Sequence, residues 1–203
     1  METLRRLFGP SRKEIWRQLS EQIGASYVEG GFWKGDKVQA HVGDWTVTLD
    51  AYTVSTGKAT VVFTRLRAPY VNADGFRFSI HRKDAFTAIG KLFGMQDVEC
   101  GDAPFDDAFV IRGTDEGKLR ALFANAKIRH LLEAQPRVRL DVRDDEGWFA
   151  VHFPDGVDEL RFLAPGVIKN VDQLVGLYEL FAEVLHHLCH IGSAYETDPQ
   201  LSL

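Results

Sequence analysis

The feature that most constrains this chain is a long amphipathic segment near its C-terminal end, residues 170–192. Asn170 is placed to accept from the first turn and Gln173 to reach back to it, the pattern of a capping box. Gly192 stands where a left-handed residue closes a helix. Between them lie about 20 residues, roughly 30 Å of helix. Val171, Leu174, Val175, Tyr178, Phe181, Ala182, Leu185, Leu188 and Cys189 share one face. A second apolar row, Leu177, Leu180, Val184 and Ile191, adjoins it, so the apolar arc covers more than half the circumference. Such a helix needs cover on two sides. Either the chain's own sheets supply it, or the second row docks on another copy in a symmetric homodimer.

The rest of the chain supplies sheets. From Ala25 to His81 the apolar period is two: Val38, Ala40 and Val42, a turn at Gly43-Asp44, then Trp45, Val47, Leu49 and Ala51. A turn at Ser55–Lys58, a β-branched stretch Thr60–Ala68 and the alternating Phe76, Phe78 and Ile80 continue it. Connections this short demand antiparallel pairing. Asp84 is placed to cap a helix through Phe93, and Gln96–Cys100 reads as a short extended link. A strand over Ala108–Arg112 precedes a helix capped by Thr114, with Leu119, Leu122 and Phe123 inward. Asn125 breaks that helix, and a second one carries Ile128, Leu131 and Leu132 up to Pro136. Another meander follows: Val138, Leu140 and Val142, a turn at Asp144–Gly147, then Phe149, Val151 and Phe153, then Leu160 and Phe162.

The expected fold is α+β, two antiparallel β-meanders packed with helices, with 170–192 as the long C-terminal core helix. Residues 1–24 read as an N-terminal helical segment. Residues 25–192 read as one compact unit, divisible into joined halves 25–94 and 95–192, and 193–203 as a C-terminal tail. In the N-terminal segment, Ser11-x-x-Glu14 is a second capping box, Ile15, Trp16, Leu19 and Ile23 form a stripe, and Gly24 closes the helix. Its basic residues, Arg5, Arg6, Arg12, Lys13 and Arg17, fit an ordinary helix packed on a sheet or one lying on an anionic membrane surface.

Charge narrows the partners. A formal net charge of −5 argues against a nucleic-acid binder. No apolar run approaches the ~18 residues of a membrane span, and no secretory signal is legible. Two cysteines, Cys100 and Cys189, lack C-x-x-C spacing, which predicts reduced thiols and a cytoplasmic protein.

Three groups of residues bear on chemistry. His186 and His190 stand i, i+4 on the polar strip of the last helix, a spacing that places two imidazoles on one metal. Glu179 or Glu183 would add a carboxylate, and His152 or His130 a third nitrogen. Against this, there is no H-E-x-x-H pattern, and histidines in a last turn are favoured by the helix dipole. The acidic stretches Asp102, Asp106, Asp107 and Asp144, Asp145, Glu146 miss the spacing of a calcium loop and read as caps and turns. The third group is the wetter face of the first sheet: His41, Asp50, Tyr52, Arg77 and His81, joined by Arg65 and Arg67. Arginines two apart on a strand point the same way and can grip a carboxylate or phosphate. The other reading is a solvated face of mixed charge. There is no P-loop, no dinucleotide fingerprint and no nucleophile elbow.

The run Gly101-Asp102-x-x-Phe105-Asp106-x-x-Phe109-Val110-Ile111 resembles the G-D-x-x-F-D-x-x-F centre of a loose family of uncharacterised bacterial proteins. In these a strand-rich half with Y-T or T-R segments comes first, here Tyr52-Thr53 and Thr64–Pro69. A charged turn, a helix and a Leu-Leu pair come after, here Thr114–Leu132. The resemblance implies a bacterial source, and with no activity or catalytic residue established for that family, nothing functional carries over from it. Read physically, Phe105, Phe109 and Ile111 are core anchors and Asp106 is a backbone cap. The expected function is non-catalytic binding of a partner protein or small ligand. The alternative is an enzyme, metal-dependent or not, with a dispersed site near His186/His190 or on the Arg65, Arg67, Arg77, His81 face.

Overall fold

A computed structural model describes residues 10–31, 35–55, 59–83, 96–144, 153–201 and 203. Period-two alternation does become strand: β1 (Ser26–Val28), β2 (Lys37–Val42), β3 (Trp45–Ser55), β4 (Thr60–Asn72) and β5 (Phe78–Arg82). The chain continues with β6 (Gln96–Asp97), β7 (Phe109–Gly113), β8 (Arg139–Arg143), β9 (Val157–Pro165) and β10 (Ala194–Tyr195). The helices are α1 (Arg12–Ile23), α2 (Ala103–Ala108), α3 (Glu116–Ala124), α4 (Ala126–Glu133) and α5 (Val171–His190). The class is α+β.

The two meanders are one sheet. Its order is β1-β2-β3-β4-β9-β8-β5-β7-β6, and β10 adds to the end of β4. The strands of this path pair antiparallel with their neighbours. Strand β5 therefore does not follow β4 as the first meander predicts; β9 and β8 lie between them. The break is local. Asn72 Oδ1 accepts from Asp74 N and Gly75 N, turning the chain out of β4, and Gly75 adopts φ 75°. Because strands from 95–192 sit between strands of 25–94, the two halves share one sheet and one core.

The register lines that core up. Val38, Leu49, Leu66, Phe162, Leu140, Ile80 and Ile111 are successive cross-strand partners over seven strands, and all are buried. All five described helices give their buried apolar residues to this same face. In α1 these are Ile15, Trp16 and Leu19, against β2 and α5. In α5 they are Leu174, Leu177, Tyr178, Leu180, Phe181, Val184, Leu185 and Leu188. Each fully buried Leu or Phe contributes about 1.5–3 kcal/mol. Tyr178 carries a hydroxyl into this layer and donates it to Val38 O at 2.9 Å, which seats α5 on β2.

The row that pointed to a homodimer is turned inward: Leu177, Leu180 and Val184 have no exposed surface, and Ile191 is partly buried. The capping box of α5 is half made. Asn170 Oδ1 accepts from Gln173 N, but the Gln173 amide donates to Gln135 Oε1 instead of the cap. Asp102 starts a helix, α2, where the sequence showed only an acidic approach to a strand, so the strand begins at Phe109. Asp115, not Thr114, caps α3, since Thr114 Oγ1 accepts from Arg77 N. The expected helix 84–93 and the strand from Phe149 to Val151 lie outside the described residues. No helix among the described residues is long and apolar enough to cross a membrane.

Candidate functional site: the charged face of the sheet

Alternation leaves the opposite face of the same strands polar. Gln39, Thr48, Arg67, Arg161, Asp141, Ser79, Arg112 and Asp97 form one cross-strand row. The next row runs Asp50, Arg65, Leu163, Arg139, His81 and Val110. With strands about 4.8 Å apart, neighbours within a row are in side-chain reach.

Two carboxylates organise the arginines. Asp50 accepts Arg65 Nε and Nη2 on its two oxygens, each at 2.8 Å, and Arg67 Nη2 at 2.8 Å. Asp141 accepts Arg161 Nε at 2.9 Å and Nη2 at 2.8 Å, and Arg139 Nε at 2.9 Å. One step further along β9, Glu159 is fully buried with its Oε2 3.8 Å from Arg67 Nη1. Tyr52 lies under the Arg65 guanidinium, 4.6 Å from it. Burial alone pushes the Asp141 carboxyl up; Arg161, then Arg139 and Arg143, outweigh it and hold the group below its ordinary range. His81 goes the other way for a base. Burial first, then the charges of Arg139 and Arg112, lower its pKa, so the imidazole is neutral near pH 7. Guanidiniums stay protonated, and Asp141, so held, stays ionised. The array is therefore suited to orienting and holding charge, with His81 as its one group of ordinary pKa near neutrality.

At the β1–β4 end the chain's last residues lie over this face. Asp198, Gln200, Leu201 and Leu203 enclose a cavity of about 350 Å³ against Ser26, Gln39, His41, Thr46, Thr48 and Pro69. Gln39 Nε2 donates to Thr48 Oγ1 at 3.2 Å, and Thr46 Oγ1 lies 3.3 Å from His41 Nδ1. Lys37 Nζ donates to Leu203 O at 2.7 Å. A cavity of about 400 Å³ at the other end takes in Lys83, Asp97, Glu99, Asp106, Glu116 and Arg120. Several of these charges are already engaged: Arg120 with Glu116, Asp97 with Arg112, and Asp106 with the amides of Cys100 and Gly101.

Of the residues the sequence singled out, Arg65, Arg67 and His81 share this face. The carboxylate that Arg65 and Arg67 grip is Asp50 of their own chain. Arg77 does not join them; it precedes β5 and binds Asp158 and Asp144. His186 stacks edge-on against Trp45, ring centroids 5.5 Å apart, and His190 lies 5.3 Å from His187. Among the described residues no three His, Cys, Asp or Glu come together in a metal-binding group. His187 Nε2 contacts Ala121 O, and Glu183 is held by Lys127 and Asn125. Burial, the largest influence on each, pushes the Cys100 and Cys189 thiols up. Arg139, Asp141, Arg161 and Glu159 were not singled out. The alternation that put Val138, Leu140 and Val142 inward also put Arg139, Asp141 and Arg143 outward, so the signal was there for β8.

These elements define an α+β protein with all its described helices on one face of a broad antiparallel sheet and a charged array on the other. No family model matches the chain, and no curated protein matches it in sequence. A solved structure with a similar fold is the crystal structure of the mycobacterial trehalose monomycolate transport factor A, TtfA, at TM-score 0.53 and 10% identity. The match covers 87% of this chain and 95% of that one, and what it shows is the fold.

Proposed function

We propose that this is a non-catalytic binding protein of the cytoplasm whose working surface is the charged side of its sheet, opposite the described helices. The observation that carries the reading is the array itself. Four arginines and three carboxylates are gathered on the face that the described helices leave alone, where burial of charge costs stability unless it is paired. Charge arranged this way favours partner choice and register over chemistry. The thiols, pushed up by burial, and Asp141, held below its ordinary range by arginines, are poised for neither nucleophilic attack nor proton transfer. That weighs against the enzyme reading at His81 or at His186/His190. The similar fold belongs to a protein named as a transport factor, which fits a role exercised by binding.

The test is site-specific photo-crosslinking in cells. A photoreactive residue at Arg112 or Arg143, on the charged face, is expected to give a discrete adduct. The same residue at Glu179, exposed on the helical side, is expected to give none. Adducts only from the helical side would refute the assignment.

A further inference from the structure

We infer that the space between the tail and β2–β4 is a docking groove for an extended peptide of a partner protein, held in cis by Asp198, Gln200, Leu201 and Leu203. The inference rests on the reading of the charged face as the working surface and gives it a partner class and a control. Beyond β10 the described tail has no regular secondary structure. Its local bonds are Thr197 N to Tyr195 O and Gln200 N to Asp198 Oδ1. Gln200 sits at φ 54°, a left-handed conformation that a non-glycine residue adopts at a cost. A segment so weakly self-supported still covers the sheet, fastened by Lys37 at Leu203 O.

The fit is loose. A cavity of about 350 Å³ remains under the tail, floored by Gln39, His41, Thr46 and Thr48. The floor groups meet one another at 3.2–3.3 Å, contacts that the N–H and C=O groups of an incoming strand can replace. The floor is a sheet with side chains alternating up and down, which suits an extended occupant better than a helix. The tail itself shows the chemistry: an acidic residue, then two leucines two positions apart, Leu201 and Leu203, which fall on the same side of an extended segment. The occupant is a partner segment of the pattern Asp-Pro-x-Leu-x-Leu, and the tail is displaced when it enters.

The probe is a fluorescein-labelled peptide of residues 196–203, titrated by anisotropy into the intact chain, a chain ending at Tyr195, and the intact-length Leu201→Arg variant. Binding at least tenfold tighter to the shortened chain and to Leu201→Arg than to the intact chain is expected. Lys37→Glu in the shortened chain is expected to weaken it at least tenfold. Equal affinity for all three, or no binding to a shortened chain that keeps the intact far-UV spectrum and melting temperature, overturns the inference. If the shortened chain does not fold, Leu201→Arg decides it by the same criterion. Peptide silence with persisting crosslinks from Arg112 overturns the groove and leaves the face; silence in both overturns both.

Discussion

Replacing Asp141 by asparagine tests the reading of the sheet face most directly. Its side chain is 3% exposed and is the shared acceptor of Arg139 and Arg161, themselves 9% and 11% exposed. Asparagine keeps the shape and one acceptor oxygen but leaves two guanidiniums without their charge partner. Removing one member of a buried pair costs about 3–5 kcal/mol. The slight exposure of both arginines lets water screen them, so the lower end, about 3 kcal/mol, is expected. That is a large part of the ~5–15 kcal/mol that holds a typical domain together. Urea denaturation followed by circular dichroism should show a lower midpoint with an unchanged m-value.

The pH dependence supplies an independent check. The folded pKa of Asp141 lies below its ordinary 3.8, so the unfolded state takes up its proton first as pH falls. The stabilisation is fully present above that ordinary value and is lost as pH drops through the folded pKa. Over that window the parent should lose up to about 1.4 kcal/mol per pH unit from this one proton, and Asp141→Asn should lose correspondingly less. A penalty below about 1 kcal/mol together with an unchanged acid limb would refute the picture of a desolvated array.

Three further outcomes follow from named contacts. Tyr178→Phe leaves Val38 O without its buried donor and should cost about 1–3 kcal/mol in the same denaturation assay. Gly113→Ala would place a Cβ 2.7 Å from Leu119 Cδ1 and 3.0 Å from Arg77 O, so overpacking of about 1–3 kcal/mol is expected, read as a lower melting temperature. His81 should titrate below its ordinary 6.5 when its ring resonances are followed by NMR. Because its folded pKa is depressed, its contribution to stability is complete above 6.5 and declines as pH falls toward the folded value; titration at or above 6.5 would contradict the arginine environment.

What was legible in the sequence was local. The alternation of β2, β3 and β8, the stop at Asn125 and the double-faced α5 all follow from side-chain period and turn chemistry, and each stands in the structure. Asp106 also acts as the backbone cap its position suggested, accepting from Cys100 N and Gly101 N. Pairing between distant strands was not legible. Nothing in Thr60–Asn72 announces that its second edge belongs to β9, so Arg161 could not be placed beside Arg67, nor Asp141 beside Arg161. Arg77 was misplaced for a related reason: the strand was expected one turn of alternation earlier, and its guanidinium leaves the face for Asp158 and Asp144. The histidine spacing at 186 and 190 was a true helical proximity without a third partner.

The seating of β9 against β4 also sets a clock. Thr64 pairs with Ala164 and Val71 with Val157, so during synthesis one whole side of β4 waits bare until those late residues leave the ribosome. An uncovered strand edge is a template for pairing with the wrong chain. The nascent protein is therefore most vulnerable when β1–β5 are out and β8 and β9 are not, and its folding cannot be completed in halves.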